Sequence, residues 1–283
     1  MRQLSPAMTT ENQLFDAIRK KQSYLCIGLD PDPSRMPVGI ARDAEGTGLF
    51  CRRIIEATEP FAVACKINSA FFETMGSRGW ELMQELFAFC RARGLWTIAD
   101  AKRGDIGNTS EAYARAFFEV LGADAITLSP YMGRDSVQPF LDKPGKTAIL
   151  LALTSNPGHA DFEMLELKDG KRVFEAVMEK AAGWERKGNL MFVVGATRAA
   201  EIEGIRKICP DHFLLIPGVG AQGGDLETIS RLGLTRQGGL LVNASRSILY
   251  ASAGEDYAPA AALEARRMQE TMAVLLREKG VLE

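Results

Sequence analysis

Leu95-Trp96-Thr97-Ile98-Ala99-Asp100-Ala101-Lys102-Arg103-Gly104-Asp105 begins apolar and ends charged. Its first part, Leu95–Asp100, reads as a short strand buried on both faces, the kind from which parallel sheets are built. Side chains alternate along a strand, so Asp100 and Lys102 are predicted to share a face, with Ala101 opposite. Gly104 then permits a sharp turn and Asp105 follows within reach of the same region.

The same unit repeats in both directions along the chain. Candidate strands are Tyr24–Leu29, Phe61–Ile67, Leu95–Asp100, Ala125–Leu128, Ala148–Leu153, Leu190–Val194, Phe213–Ile216 and Gly239–Val242, eight in all. Amphipathic stretches lie between them. Trp80–Arg93 sets Leu82, Leu86, Phe87 and Phe89 among Glu81, Gln84, Glu85 and Arg91. Thr109–Leu121, Val173–Arg186, Ala199–Ile208 and Asp225–Leu232 are patterned alike, and Ala258–Lys279 forms a long closing helix before Gly280.

Repeated βα units require a parallel sheet, either closed or doubly wound. Eight units favour closure. The first strand is followed by Gly28-Leu29-Asp30-Pro31-Asp32-Pro33, not by a dinucleotide-binding glycine motif. The phosphate-type turns come late, after the seventh and eighth strands, where barrels hold phosphate. The predicted fold is therefore α/β, a single (β/α)8 TIM barrel. It spans residues 1–283 as one domain, with a short N-terminal helix and a long C-terminal one. Pro31–Thr47, rich in proline and glycine, reads as a loop.

Composition excludes several function classes. With 46% hydrophobic and 25% charged residues the chain resembles an average globular protein. A net charge of −2 leaves no electrostatic footprint for nucleic acid or an anionic membrane. Cys26, Cys51, Cys65, Cys90 and Cys209 form no CxxC pair, so reduced thiols in a cytoplasmic protein are expected. Two histidines, His159 and His212, argue against a histidine-rich metal site or a Ser/His/Asp hydrolase. Met1–Glu11 lacks the apolar run of a signal peptide, and Ala148–Leu153 is far too short to span a membrane.

Charges of both signs collect at predicted strand ends: Asp30, Lys66, Asp100, Lys102 and Asp105. Any one of them reads equally well as a solvated charge at a loop entrance. Together, at one barrel mouth, alternating ammonium and carboxylate groups are costly unless they satisfy one another. Such an array also keeps a lysine charged as a proton donor. Ser155 alone reads as a loop-start serine and Arg246 alone as a surface charge. The four glycines of Pro217–Gly224, one strand before Arg246, suit close backbone approach to a phosphate. Phe71-Phe72, Phe117-Phe118 and Met191–Val194 read as packing, and His159 as a loop histidine.

Asp100-Ala101-Lys102-Arg103-Gly104-Asp105-Ile106, with Thr109 beyond it, resembles the Asp-x-Lys-x-x-Asp signature of the orotidine monophosphate decarboxylase suprafamily. Gly28-Leu29-Asp30-Pro31, Lys66-Ile67-Asn68, Ser155-Asn156-Pro157-Gly158, Pro217–Gly224 and Arg246-Ser247 appear in that family's order. The likeness runs from about Leu25 to Tyr250. The long segments 31–47 and 159–172 resemble its longer bacterial branch.

The resemblance implies loss of CO2 from C6 of orotidine 5′-monophosphate (OMP), giving UMP in pyrimidine biosynthesis without metal or organic cofactor. It implies that Lys102 protonates C6 and that Asp100 lies beside the departing carboxylate. Lys66 pairs with Asp100 and reaches the ribose. Asp30 binds a ribose hydroxyl, and Asn68 belongs to the substrate-binding set. Ser155 bonds the pyrimidine, Gln222 bridges phosphate and base, and Arg246 holds the phosphate. Asp105 and Thr109 act across a homodimer interface. Ser245 stands where many relatives carry glycine.

A phosphosugar decarboxylase or hexulose phosphate synthase of the same suprafamily would need Mg2+ and an acidic ligand on the second strand, where this chain has Lys66 and Asn68. A Schiff-base aldolase needs a free amine, whereas Asp100 and Asp105 favour an ammonium. A non-catalytic nucleotide-binding protein would have no use for the charged array.

Overall fold

The structure, a computed structural model, describes residues 10–184, 188–195, 199–219 and 225–282. Eight strands form a closed, all-parallel barrel in chain order. They are β1 (Leu25–Leu29), β2 (Ala64–Asn68), β3 (Trp96–Arg103), β4 (Ala125–Leu128), β5 (Thr147–Leu153), β6 (Leu190–Val194), β7 (Leu214–Pro217) and β8 (Leu240–Ala244). β1 closes the ring against β8, with Cys26 opposite Asn243. Every predicted strand is present, and the (β/α)8 barrel is the observed fold. Apolar residues of β1, β4, β6 and β8 are buried throughout, because the barrel interior covers one face and the helices the other.

One strand departs from a regular ladder in a way that matters. β3 runs to Arg103, beyond the predicted end at Asp100. Its register against β4 goes from Ala99 opposite Ile126 to Arg103 opposite Leu128. Asp100, Ala101 and Lys102 thus face Thr127 alone, which is a bulge. Lys102 takes a positive φ of 47° inside it.

The segment 31–47 is more structured than its composition suggests. A 3-10 turn occupies Pro33–Arg35, and Asp43 caps a helix over Ala44–Thr58. Its two glycines differ in role: Gly39 takes a positive φ of 83° in open space, whereas Gly46 serves close packing. A Cβ at Gly46 would lie 2.0 Å from the Ala41 carbonyl oxygen. The stretch predicted as a helix over Thr109–Leu121 is an α-helix over Gly107–Arg115 followed by a π-turn at Ala116–Val120. The helix expected over Val173–Arg186 ends at Ala182, before Gly183. The closing helix, Tyr257–Glu278, packs against Ala44–Thr58.

Phe72, Phe117, Phe118 and Met191–Val194 are core residues, as their apolar context predicts. The five cysteines are buried and unbridged. Among the described residues, no helix is long and apolar enough to cross a membrane.

Candidate active site

β1, β2, β3, β5 and β8 deliver side chains from their C-terminal ends into one cavity of about 300 Å³. Asp30, Lys66, Asn68, Asp100, Lys102, Ser155 and Arg246 all line it. This is the catalytic face of an α/β barrel, where the turns after successive strands converge.

Asp100 is the hub. It is 8% exposed, and its two carboxylate oxygens are shared between two lysines. Lys66 Nζ donates to Oδ2 at 2.7 Å and Lys102 Nζ to Oδ1 at 2.5 Å. Lys66, itself 5% exposed, also lies 3.7 Å from Asp30 Oδ1. Burial alone would raise the Asp100 pKa, yet the two ammonium groups overcome it and hold the carboxyl well below the usual carboxylate range. Burial would likewise lower the Lys66 pKa, but Asp100 and Asp30 outweigh it and push it above the ordinary lysine value. Lys66 and Asp100 are therefore a charged pair at neutral pH, and the geometry aims the half-exposed Lys102 ammonium towards the open cavity.

The rest of the cavity has both polar and apolar lining. Leu151, Val193, Leu215, Pro217 and Val219 offer a surface suited to a planar ring. Asp30 Oδ1 and Asn243 Oδ1 are buried and accept no hydrogen bond among the described residues, so both suit a ligand hydroxyl or amide. Arg246 is exposed, opens the short helix Arg246–Leu249 and makes no ion pair among the described residues, so its guanidinium is available to an anion. Ser245, where the resemblance leads one to expect glycine, has φ −114°, outside the left-handed region that favours glycine.

A sequence profile described as "Orotidine 5'-phosphate decarboxylase / HUMPS family" matches residues 23–261. The chain belongs to the orotidine 5′-phosphate decarboxylase family. It is 50% identical over 277 residues to an orotidine 5′-phosphate decarboxylase of Porphyromonas gingivalis, covering 97% of this chain and 100% of that protein. A relative of the same name from Phocaeicola vulgatus is 48% identical, with 93% and 97% covered. The solved structure of Leishmania donovani OMP decarboxylase superposes with a TM-score of 0.83 at 36% identity, covering 95% of this chain and 98% of that one. The protein is accordingly an enzyme of the carboxy-lyase class.

Orotidine 5′-phosphate decarboxylase membership does not make every expected residue meet in one chain. Asp105 does not join the charge array. Its carboxylate accepts the Ile106 N–H at 2.8 Å, and it does not line the cavity. β3 ends at Arg103, and Asp105 lies in the irregular segment between it and the helix that starts at Gly107, outside the cavity lining. Thr109, on the helix Gly107–Arg115, is exposed. Gln222 falls outside the described residues.

Several contributors were not singled out from sequence. Thr127 touches both Asp100 and the Lys102 backbone. Asn243, the penultimate residue of β8, donates to Ser245 Oγ at 3.2 Å. A Cβ at Gly28 would fall 1.8 Å from that same oxygen, which accounts for glycine on the neighbouring strand. A polar residue at the end of the apolar run Leu240–Val242 was the available signal for Asn243. Glu163, in the segment after β5, accepts from Thr154 N at 2.7 Å and from Thr154 Oγ1 at 2.8 Å, and so holds the start of the Ser155 turn. Nothing local in the sequence marks that pairing. Tyr250 braces the first loop by accepting the Asp32 N–H at 2.7 Å and donating to the Asp30 carbonyl at 3.2 Å.

Proposed function

We propose that this enzyme converts OMP to UMP and CO2 without a metal or organic cofactor, with Lys102 as the proton donor. One observation carries the reading: Asp100 clamped between Lys66 and Lys102 inside a cavity that also contains Asp30, Ser155 and Arg246.

The C6–carboxylate bond breaks and leaves its electron pair on C6, where it cannot delocalise into the ring π system. Catalysis then has to come from fixed charges and from binding energy of remote groups. The Lys102 ammonium stabilises the developing carbanion, transfers its proton to C6 and regains one from solvent. Asp100, held ionised by its lysines, lies beside the substrate carboxylate and disfavours the bound ground state. Asp30 and Lys66 take the ribose hydroxyls. Asn68 and Ser155 contact the nucleotide, and Arg246 holds the phosphate together with Gln222.

A hard divalent cation suits this donor set poorly. Both Asp100 oxygens already accept from ammonium groups, and Lys66 adds positive charge where a magnesium-dependent relative needs a carboxylate. The enzyme works as a cytoplasmic homodimer in which Asp105 and Thr109 complete the neighbouring subunit's site.

Purified protein mixed with OMP in the presence of EDTA is expected to deplete the substrate absorbance and release UMP and CO2. Absence of turnover, or turnover restored only by Mg2+, would refute the cofactor-free reading. Mixing Lys102→Ala and Asp105→Ala proteins tests the shared site, since hybrid dimers regain activity only if Asp105 serves the partner.

A further inference from the structure

We infer that Thr127 is a positioning residue that holds Asp100 and Lys102 in their catalytic geometry; this rests on the functional reading above. Its hydroxyl donates to Asp100 Oδ1 at 3.0 Å and accepts the Lys102 backbone N–H at 2.9 Å. Thr127 is 1% exposed, so water does not compete for either bond.

The register explains why a side chain is needed here. Between Ala99 opposite Ile126 and Arg103 opposite Leu128, β3 bulges away from the ladder. The Lys102 N–H consequently has no backbone acceptor on β4, and an unmet buried donor is costly. Thr127 Oγ1 takes the place of that acceptor. It thereby supports a lysine at φ 47°, a region that residues with a Cβ seldom adopt. With its one proton the same hydroxyl fixes the carboxylate oxygen that Lys102 Nζ approaches at 2.5 Å. A single oxygen therefore sets both the backbone that carries the proton donor and the carboxylate against which the donor rests. β-branching suits the role, because threonine in a strand has restricted χ1 freedom.

The test compares Thr127→Val, Thr127→Ala and Thr127→Ser by steady-state kinetics on OMP, with thermal melts of each. Valine keeps the shape and removes both bonds. For Thr127→Val, kcat is expected to fall ~10- to 100-fold, the loss of a hydrogen bond to a charged group, with KM within about twofold of the parent. Thr127→Ser is expected to restore most of the rate, because the hydroxyl returns. If the valine protein does not fold, the alanine–serine comparison decides in the same way. Parental kcat in Thr127→Val, an equal loss in Thr127→Ser, or a rise in KM that matches the fall in kcat/KM would overturn the assignment. Unfolding of both Val and Ala proteins would also overturn it, since the hydroxyl would then serve the fold. An unsubstituted enzyme inactive on OMP would instead sink the functional reading, and this inference with it.

Discussion

The Lys66 ammonium lies 2.7 Å from the Asp100 carboxylate, with both side chains almost completely withdrawn from water. A pair in that setting stabilises little by itself, because desolvation offsets most of the attraction. Removing one member is another matter, since it leaves a buried charge uncompensated. Asp100→Ala is therefore expected to lower unfolding free energy by about 3–5 kcal/mol as well as to abolish turnover. Asp30, 3.7 Å from Lys66, is too distant to replace the lost partner fully. Denaturant titration checks this, and a loss under roughly 1 kcal/mol would show that water reaches the pair.

The pH dependence of that stability has a definite sign on each side. The folded Asp100 pKa lies below its unfolded value, so its contribution is complete above about pH 4 and is lost on acidification towards the folded pKa. The folded Lys66 pKa lies above its unfolded value, so its contribution is complete below about pH 10 and is lost as pH rises towards the folded pKa. The melting temperature of the parent minus that of Lys66→Met/Asp100→Asn should thus be constant from about pH 5 to 9 and fall at both extremes, whatever its sign at neutrality. A gap that changes through neutrality would assign the titration to other groups.

Lys102 differs from Lys66 in being half-exposed, and its ammonium donates to Asp100. Lys102→Ala is expected to fold normally, to bind UMP and to show no measurable decarboxylation. Calorimetric UMP titration beside a CO2 assay checks both halves. Near-parental kcat would remove Lys102 as the proton donor.

Arg246 is exposed at the cavity rim and unpaired with any described carboxylate. Arg246→Ala should leave stability unchanged and lower kcat/KM by roughly 2–3 kcal/mol, about 30- to 150-fold, as expected for a lost charge-assisted phosphate contact. If kcat/KM barely moves, the phosphate does not bind there.

Glu163 grips Thr154 by its backbone and its hydroxyl, one residue before Ser155. Glu163→Ala is expected to loosen that turn and reduce kcat/KM about tenfold through a higher KM. Glu163→Gln should recover part of the loss, because the amide oxygen still accepts the Thr154 N–H. An unchanged KM in the alanine variant would show that other bonds hold the turn.

Much of this site was legible from sequence because barrels place strand ends at one mouth whatever the helices between them do. Apolar runs of strand length, separated by amphipathic stretches, specify eight βα units, and the residue that ends each strand is then assigned to a common face. Asp30, Lys66, Asn68 and Arg246 could be located in that way. The Lys102–Asp100 contact was expected from strict alternation along a regular strand, but the structure reaches it through a bulge.

What tertiary structure alone decided are the partnerships between residues far apart in the chain. Thr127 under the bulge, Asn243 beside Gly28, Glu163 on Thr154 and the departure of Asp105 from the array all depend on register and loop path. Local periodicity reports which face a residue occupies. It is blind to which strand lies opposite and at what offset, because those follow from packing the whole ring closed.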